Sequence, residues 1–277
     1  MAKFCNSLLC LISMALLSAP AISLGQRPGD LIISPTRVLL DERGKSSDLT
    51  LLNRGMKPVR YRLSLVDMEM SEDGKLRRTD TESPVSALNV LRLSPREIVL
   101  APGVSQRIRI AAFMPANQAD GELRSHLVFE PITVSAPQSQ TTDSDGQLRL
   151  SLDFRSVISI PVIVRHGRLG ASATLEEGSV ARDTAGWFAK VTVHRFGNRS
   201  LRGNLTATFV SADKAHRTDL GLIAGLAVYC PNADRVVQVR LDKDLSTLGR
   251  GTVEIEFAEP DRSRGAADAK TEISVPG

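Results

Sequence analysis

The chain has 277 residues and a mass of 30.0 kDa, with 42% hydrophobic and 24% charged residues. That is the balance of a folded, water-exposed protein long enough for two domains. Twenty Gly and 14 Pro exclude collagen-like and low-complexity classes. A formal net charge of only +4, without a basic block or an aromatic–basic motif, gives no footprint for nucleic acid.

In chain order, the first feature is a leader. Lys3 precedes an apolar run from Leu8 to Leu17, followed by Ser18-Ala19-Pro20-Ala21. A positive start, a ten-residue apolar core and an Ala-x-Ala ending predict a secretory signal peptide over 1–21, with cleavage after Gly25 as the alternative. The run falls well short of the ~20 apolar residues that a membrane anchor needs. Cys5 and Cys10 lie in this leader, which leaves Cys230 alone in the exported chain. A single thiol forms no internal disulfide and no cysteine-rich zinc site, so Cys230 reads as a buried, inert side chain.

From Asp30 onward the apolar period is two. Val38 and Leu40, Leu49 and Leu51, Val59 through Leu65, Ile108 and Ile110, and Leu127 and Phe129 all alternate with polar residues. Turn signals separate them: Glu42-Arg43-Gly44, Asn53-Arg54-Gly55, Glu72-Asp73-Gly74 and Ala101-Pro102-Gly103. About seven short strands before His166, with no capped helical stripe, predict an immunoglobulin-like β-sandwich. A second set follows His166-Gly167-Arg168-Leu169-Gly170, with strands at Phe188–Val193, Leu205–Val210, Val236–Leu241 and Val253–Phe257. The expected architecture is all-β: an N-terminal domain over 26–166 and a C-terminal domain over 167–277, set at an angle with a cleft between them. Arg262 to Lys270 reads as a loose polar tail, and Glu176-Glu177 as a turn pair.

One segment exceeds what a small sandwich can cover. Leu148, Leu150, Leu152 and Phe154 alternate with Arg149, Ser151, Asp153 and Arg155, and the parity continues through Ile158, Ile160, Val162 and Val164. Nineteen residues from Gln147 to Arg165 span roughly 60 Å as a strand, against about 20 Å for an ordinary one. The segment either bends into two strands whose stripe is core, or projects an apolar stripe that has no partner within the chain. Pro161 has no N–H to donate, so the strand is expected at an edge or bulge there. An edge strand with an apolar stripe is an aggregation hazard unless it pairs with another polypeptide. Thr133 to Asp145, just before it, is polar and patternless and reads as a mobile loop.

These stretches resemble the PapD-like periplasmic chaperones of chaperone–usher pilus assembly. The resemblance rests on Ser34-Pro35-Thr36-Arg37 and on Ser94-Pro95-Arg96 through Ala101-Pro102-Gly103 with Gln106-Arg107-Ile108-Arg109. It rests also on Gly121-Glu122-Leu123-Arg124-Ser125-His126-Leu127-Val128-Phe129 and on the alternating segment ending Ile160-Pro161-Val162-Ile163-Val164-Arg165. It implies a periplasmic protein that lays Leu148, Leu150, Leu152 and Phe154 into the groove of an incomplete pilin (fimbrial) subunit and delivers it to an outer-membrane usher. Four such side chains, at ~1.5–3 kcal/mol each, give roughly 6–12 kcal/mol before ordering costs. The resemblance also implies that Arg37 anchors the subunit's C-terminal carboxylate, through a charge-assisted bond of about 1.5–3 kcal/mol. The family's second anchoring cation is a Lys four residues before the Arg that ends the long strand. Here that position is Pro161, and Arg96 is the candidate replacement, ahead of Arg124 and Arg155. The missing Lys, and the absence of a disulfide pair in the second domain, suggest a non-classical branch.

Enzyme chemistry finds little support. His126, His166, His194 and His216 are scattered, and no Gly-x-Ser-x-Gly or Walker-type loop occurs. Asp143-Ser144-Asp145-Gly146 lacks the downstream Glu of a calcium loop. No cofactor, catalytic residue, metal or small-molecule substrate is expected, and self-association that caps the edge strand would suit the free protein. A structural pilus or surface subunit is the alternative reading, but Gln26 to Asp30 is too short to serve as a donor extension. A secreted carbohydrate-binding or hydrolytic protein would want more exposed aromatic residues than one Trp and two Tyr.

Overall fold

The period-two runs become buried faces. Val38, Leu40, Leu49, Leu51, Tyr61, Leu63, Ile108, Ile110, Leu127 and Phe129 are all nearly inaccessible and share one core. A computed structural model describes residues 30–81, 83–132, 156–260 and 268–275. Its strands are β1 (Leu31–Ser34), β2 (Val38–Leu40), β3 (Ser46–Asn53), β4 (Val59–Val66), β5 (Met68–Met70), β6 (Leu76–Arg78), β7 (Leu91–Ser94), β8 (Glu97–Leu100) and β9 (Ser105–Ala112). They continue with β10 (Gly121–Ile132), β11 (Ile158–His166), β12 (Ala171–Asp183), β13 (Gly186–Gly197), β14 (Leu201–Ser211), β15 (Arg217–Val228), β16 (Asp234–Arg240), β17 (Gly251–Ala258) and β18 (Ala269–Val275).

The protein is all-β, built as two sandwiches. In the first, a sheet of order β1-β3-β9-β7 packs on one of order β2-β11-β10-β4-β8. In the second, β12-β13-β16 packs on β15-β14-β17-β18 around a separate core that includes Val191, Leu205, Phe209, Val253 and Phe257. The β5–β6 hairpin belongs to neither sandwich sheet. Polar turn residues end the strands as their chemistry predicts. Asn53 alone donates its amide to the carbonyls of Lys57 and Leu100, at 2.8 and 3.0 Å, and accepts from Gly55 N at 2.8 Å, tying two loops together.

The strand pattern departs from expectation in three places. Glu176-Glu177 lies inside β12, where the register to β13 shifts between Glu176 and Ser179, so the local irregularity is a bulge in a strand and not a turn. Ala269 and Lys270 open β18, which pairs with β17 from Gly251 to Phe257, so that end of the expected tail is ordered structure. Among the described residues the first sandwich has nine strands in its two sheets, more than the seven expected, because pieces such as β7 and β8, of four residues each, carry too little pattern to read.

β10 and β11 position everything that follows. Their antiparallel register pairs Glu122 with Arg165, Arg124 with Ile163, and His126 with Pro161. Leu127, Phe129, Ile160, Val162 and Val164 fill the first core from one face of this pair. The parallel ladder from β2 starts only at Val162, so Pro161 has a ladder neighbour on the β10 side alone, where its missing N–H is tolerated. The linker after β11 is pinned at both ends. Asp120 accepts from Arg168 N at 3.1 Å and Glu42 from Gly167 N at 3.2 Å, while Asn198 bridges Gly170 N and the Arg168 carbonyl. Gly167 turns at φ +68°, and a Cβ there would lie 1.8 Å from the Asp120 carboxylate, so both conformation and space require glycine.

Candidate functional site

The second face of β10–β11 meets the other sandwich and is buried as well, but with polar residues. Glu122, Arg124 and His126 point there with Ile163 between them, and Ile163 packs with Met70, Ala227 and Tyr229. Glu122 is 3% exposed, and its carboxyl oxygens are partnered twice. Arg165 Nε donates to Glu122 Oε2 at 3.0 Å, and the Ser200 hydroxyl donates to Oε1 across the joint. Ser200 in turn accepts from Cys230 N at 3.0 Å. Without these donors a carboxylate at this depth would cost several kcal/mol.

Arg124, 3% exposed, lies with its guanidinium 4.5 Å from the centre of the Tyr229 ring, and its Nη2 donates to the Cys230 carbonyl at 3.3 Å. Its Nε and Nη1 have no hydrogen-bond partner among the described residues. Burial pulls its proton affinity below the usual arginine range, although an arginine stays charged. His126, fully buried, meets Tyr229 edge-on at 6.3 Å, with neither ring nitrogen partnered among the described residues. Burial first, and Arg124 second, hold its pKa down at about 3, so the ring is neutral at ordinary pH. Tyr229's phenol is pushed up by burial, against the pull of Arg124, Arg37 and Arg202.

Arg37 stands just before β2, at the mouth of this joint. It is half-buried, its Nε is unpartnered among the described residues, and burial followed by the neighbouring Arg165 lowers its proton affinity. Arg202 of the second sandwich adds further positive charge, against the single carboxylate of Glu122. Chemically this is a cationic recess formed from both sandwiches, suited to receive an anion such as a carboxylate.

The sequence-predicted residues fall in three groups. Arg37 lies in the recess. Arg96 does not join it: it is exposed in the turn between β7 and β8, with its carbonyl accepting from Leu63 N at 2.8 Å. β2 and β8 are opposite edges of one sheet, four strand spacings or about 19 Å apart. Arg165 is the cation that stands beside Arg37, while Arg124 is sealed deeper, against Tyr229. Leu148, Leu150, Leu152, Phe154 and Arg155, and the loop from Thr133 to Asp145, lie outside the described residues. Cys230 is buried, and burial pushes its thiol up, which keeps it protonated and unreactive. Glu122, Ser200, Arg202 and Tyr229 were not singled out by sequence. The usable signal for Glu122 was the row Glu122-x-Arg124-x-His126 set against the apolar parity of Leu123, Leu127 and Phe129.

No family model matches the chain, and no curated protein matches it. Among solved structures, it is similar to the class 5 fimbriae chaperone CfaA, at 13% identity and a TM-score of 0.47, over 89% of this chain and 99% of that one. It is similar to the Salmonella enterica SafA pilin–SafB chaperone complex, at 13% identity and 0.44, over 91% and 99%. It is similar also to the chaperone–tip subunit complex CsuC–CsuE of Acinetobacter baumannii, at 14% and 0.43, over 77% and 91%.

Proposed function

We propose that this protein is an exported pilus-assembly chaperone. In this reading it is a periplasmic binding module that holds pilin subunits by strand donation and passes them to an outer-membrane usher. The observation that carries the reading is the cationic recess at the joint, with Arg37 half-buried and its Nε unpartnered beside Arg165 and Arg202. A carboxylate entering it would supply the counter-charge that Glu122, already engaged by Arg165 and Ser200, leaves wanting. The recess stands at the C-terminal end of β11, and the same alternation runs back in sequence through Phe154, Leu152, Leu150 and Leu148. A subunit whose C-terminal carboxylate docks at Arg37 would therefore have its last residues directed along β11 toward that stripe. In this reading Arg165, the electrostatic neighbour of Arg37, serves as the second cation instead of Arg96. The leader over 1–21 directs export, and the chemistry asked of the protein is binding, with no cofactor or small-molecule substrate.

The test is affinity recovery of the tagged protein from its native periplasm with intact-mass analysis of what accompanies it. A small β-rich partner at one-to-one stoichiometry is expected. It should be lost on changing Leu150 and Leu152 to Ser, and reduced roughly 10- to 100-fold by Arg37→Ala, the size of one charge-assisted bond. Recovery unaffected by both changes would overturn the proposal.

A further inference from the structure

The β5–β6 hairpin leaves the first sandwich after β4 and lies against the second. At its tip, Val236 N of β16 donates to the Glu72 carbonyl at 2.8 Å, a main-chain bond between the two halves of the molecule. Asn232 Nδ2 donates to the Met70 carbonyl at 2.6 Å. Met70, 6% exposed, packs with Ile163, Ala227 and Tyr229, and Leu76 of the returning strand packs against the same cluster. The Arg235 guanidinium lies on Gly74, where a Cβ would meet it at 2.2 Å and where φ is +82°. The tip is internally braced: Ser71 N donates to the Lys75 carbonyl at 2.9 Å, and Gly74 N to the Ser71 carbonyl at 2.8 Å. β16 is the edge of its sheet, so the hairpin also covers part of an otherwise open strand edge.

We infer that this hairpin is a strap that fixes the two sandwiches in one relative orientation. A single linker, however well pinned, leaves rotation about one axis; a second attachment through a different part of the chain removes it. The hairpin, distant in sequence from the linker, is such an attachment, and it acts beside the Ser200–Glu122 and Arg124–Cys230 bonds across the joint. The inference stands on the fold alone. Only its consequence rests on the function proposed above, namely that Arg37 and Arg165 from one sandwich and Arg202 from the other are assembled before any ligand arrives.

The test uses amide exchange and residual dipolar couplings, both indifferent to subunit binding. In the unaltered protein the Val236 amide, whose acceptor is Glu72, should exchange at least ~100-fold slower than an unprotected one. Amides of both sandwiches should fit a single alignment tensor. An unprotected Val236, or two tensors of different magnitude, overturns the inference outright. Replacing residues 71–75 by a two-residue Asn-Gly turn removes the Glu72 acceptor while keeping Met70 and Leu76. The sandwiches should then align separately while the amides of Val239 and Val253 keep their protection. A single tensor surviving in that variant overturns the strap. Asn232→Ala, which breaks the contact from the other side, should show the same separation to a smaller degree.

Discussion

The two faces of β10 and β11 are both buried, yet different physics holds each. On the inner face Leu127, Phe129, Ile160, Val162 and Val164 interlock in an apolar core where no charge needs compensation. On the outer face Glu122, Arg124 and His126 are taken from water by the second sandwich: Glu122 is matched by Arg165 and Ser200, Arg124 in part by the Cys230 carbonyl, and the His126 nitrogens find no partner among the described residues. The first face gains from area removed from water and depends little on pH or salt. The second contributes orientation, and its strength depends on keeping every charge partnered. The contrast separates what makes the first sandwich fold from what joins it to the second.

The sharpest way to break the comparison is to remove one residue from each face. Phe129→Ala should cost about 3–5 kcal/mol in urea unfolding, through lost transfer energy and a cavity, with the same value at low and high salt. Glu122→Leu should cost about 3 kcal/mol, near the low end for a broken buried pair because Arg165 keeps 22% of its side chain in water. Unlike the Phe129 change, it should also raise the amide exchange of Cys230, whose N–H is held by Ser200. Equal exchange at Cys230 in the two variants would erase the distinction.

A smaller effect sharpens it by pH. The buried imidazole of His126 has its pKa lowered to about 3, below the unfolded value of 6.5. The unfolded chain therefore binds the extra proton first. The stabilisation is complete above pH 6.5 and is lost as pH falls from there toward 3, at up to about 1.4 kcal/mol per pH unit. Unfolding free energies measured from pH 7 to 4.5 should show this slope, and His126→Leu should flatten it. A slope unchanged in that variant would assign the acid sensitivity elsewhere. The smallest effect belongs to the exposed pair Arg60–Glu97 at 2.6 Å, on the uncovered part of the same sheet. Arg60→Ala should cost less than about 1 kcal/mol and vanish at high salt, which thermal melts at two salt concentrations would show.

Much of the fold was legible because alternation is local. Leu49 and Leu51, Ile108 and Ile110, and Leu205 through Phe209 each state which side of a strand faces inward, and the fold buries them accordingly. What escaped was the shortest strands, the bulge at Glu176, and β18, whose inward positions begin with the weakly apolar Ala269 and Thr271. The site was less legible. A resemblance singled out Arg37, but nothing local could exchange Arg96 for Arg165 as its neighbour, because that depends on which strands form opposite edges of one sheet. Glu122-x-Arg124-x-His126 looks like the wet face of a strand until another domain covers it.

The sequence by itself determined the all-β class, the strand parity and the alternating segment that leads into β11. These follow from side-chain period and turn chemistry, which act over a few residues. Only the tertiary structure decided that a polar strand face is interior, that Ser200 and Tyr229 meet it from some 80 to 100 residues away, and that a hairpin ties the two sandwiches. Such pairings are set by the packing of distant strands, and no short window of sequence contains both partners.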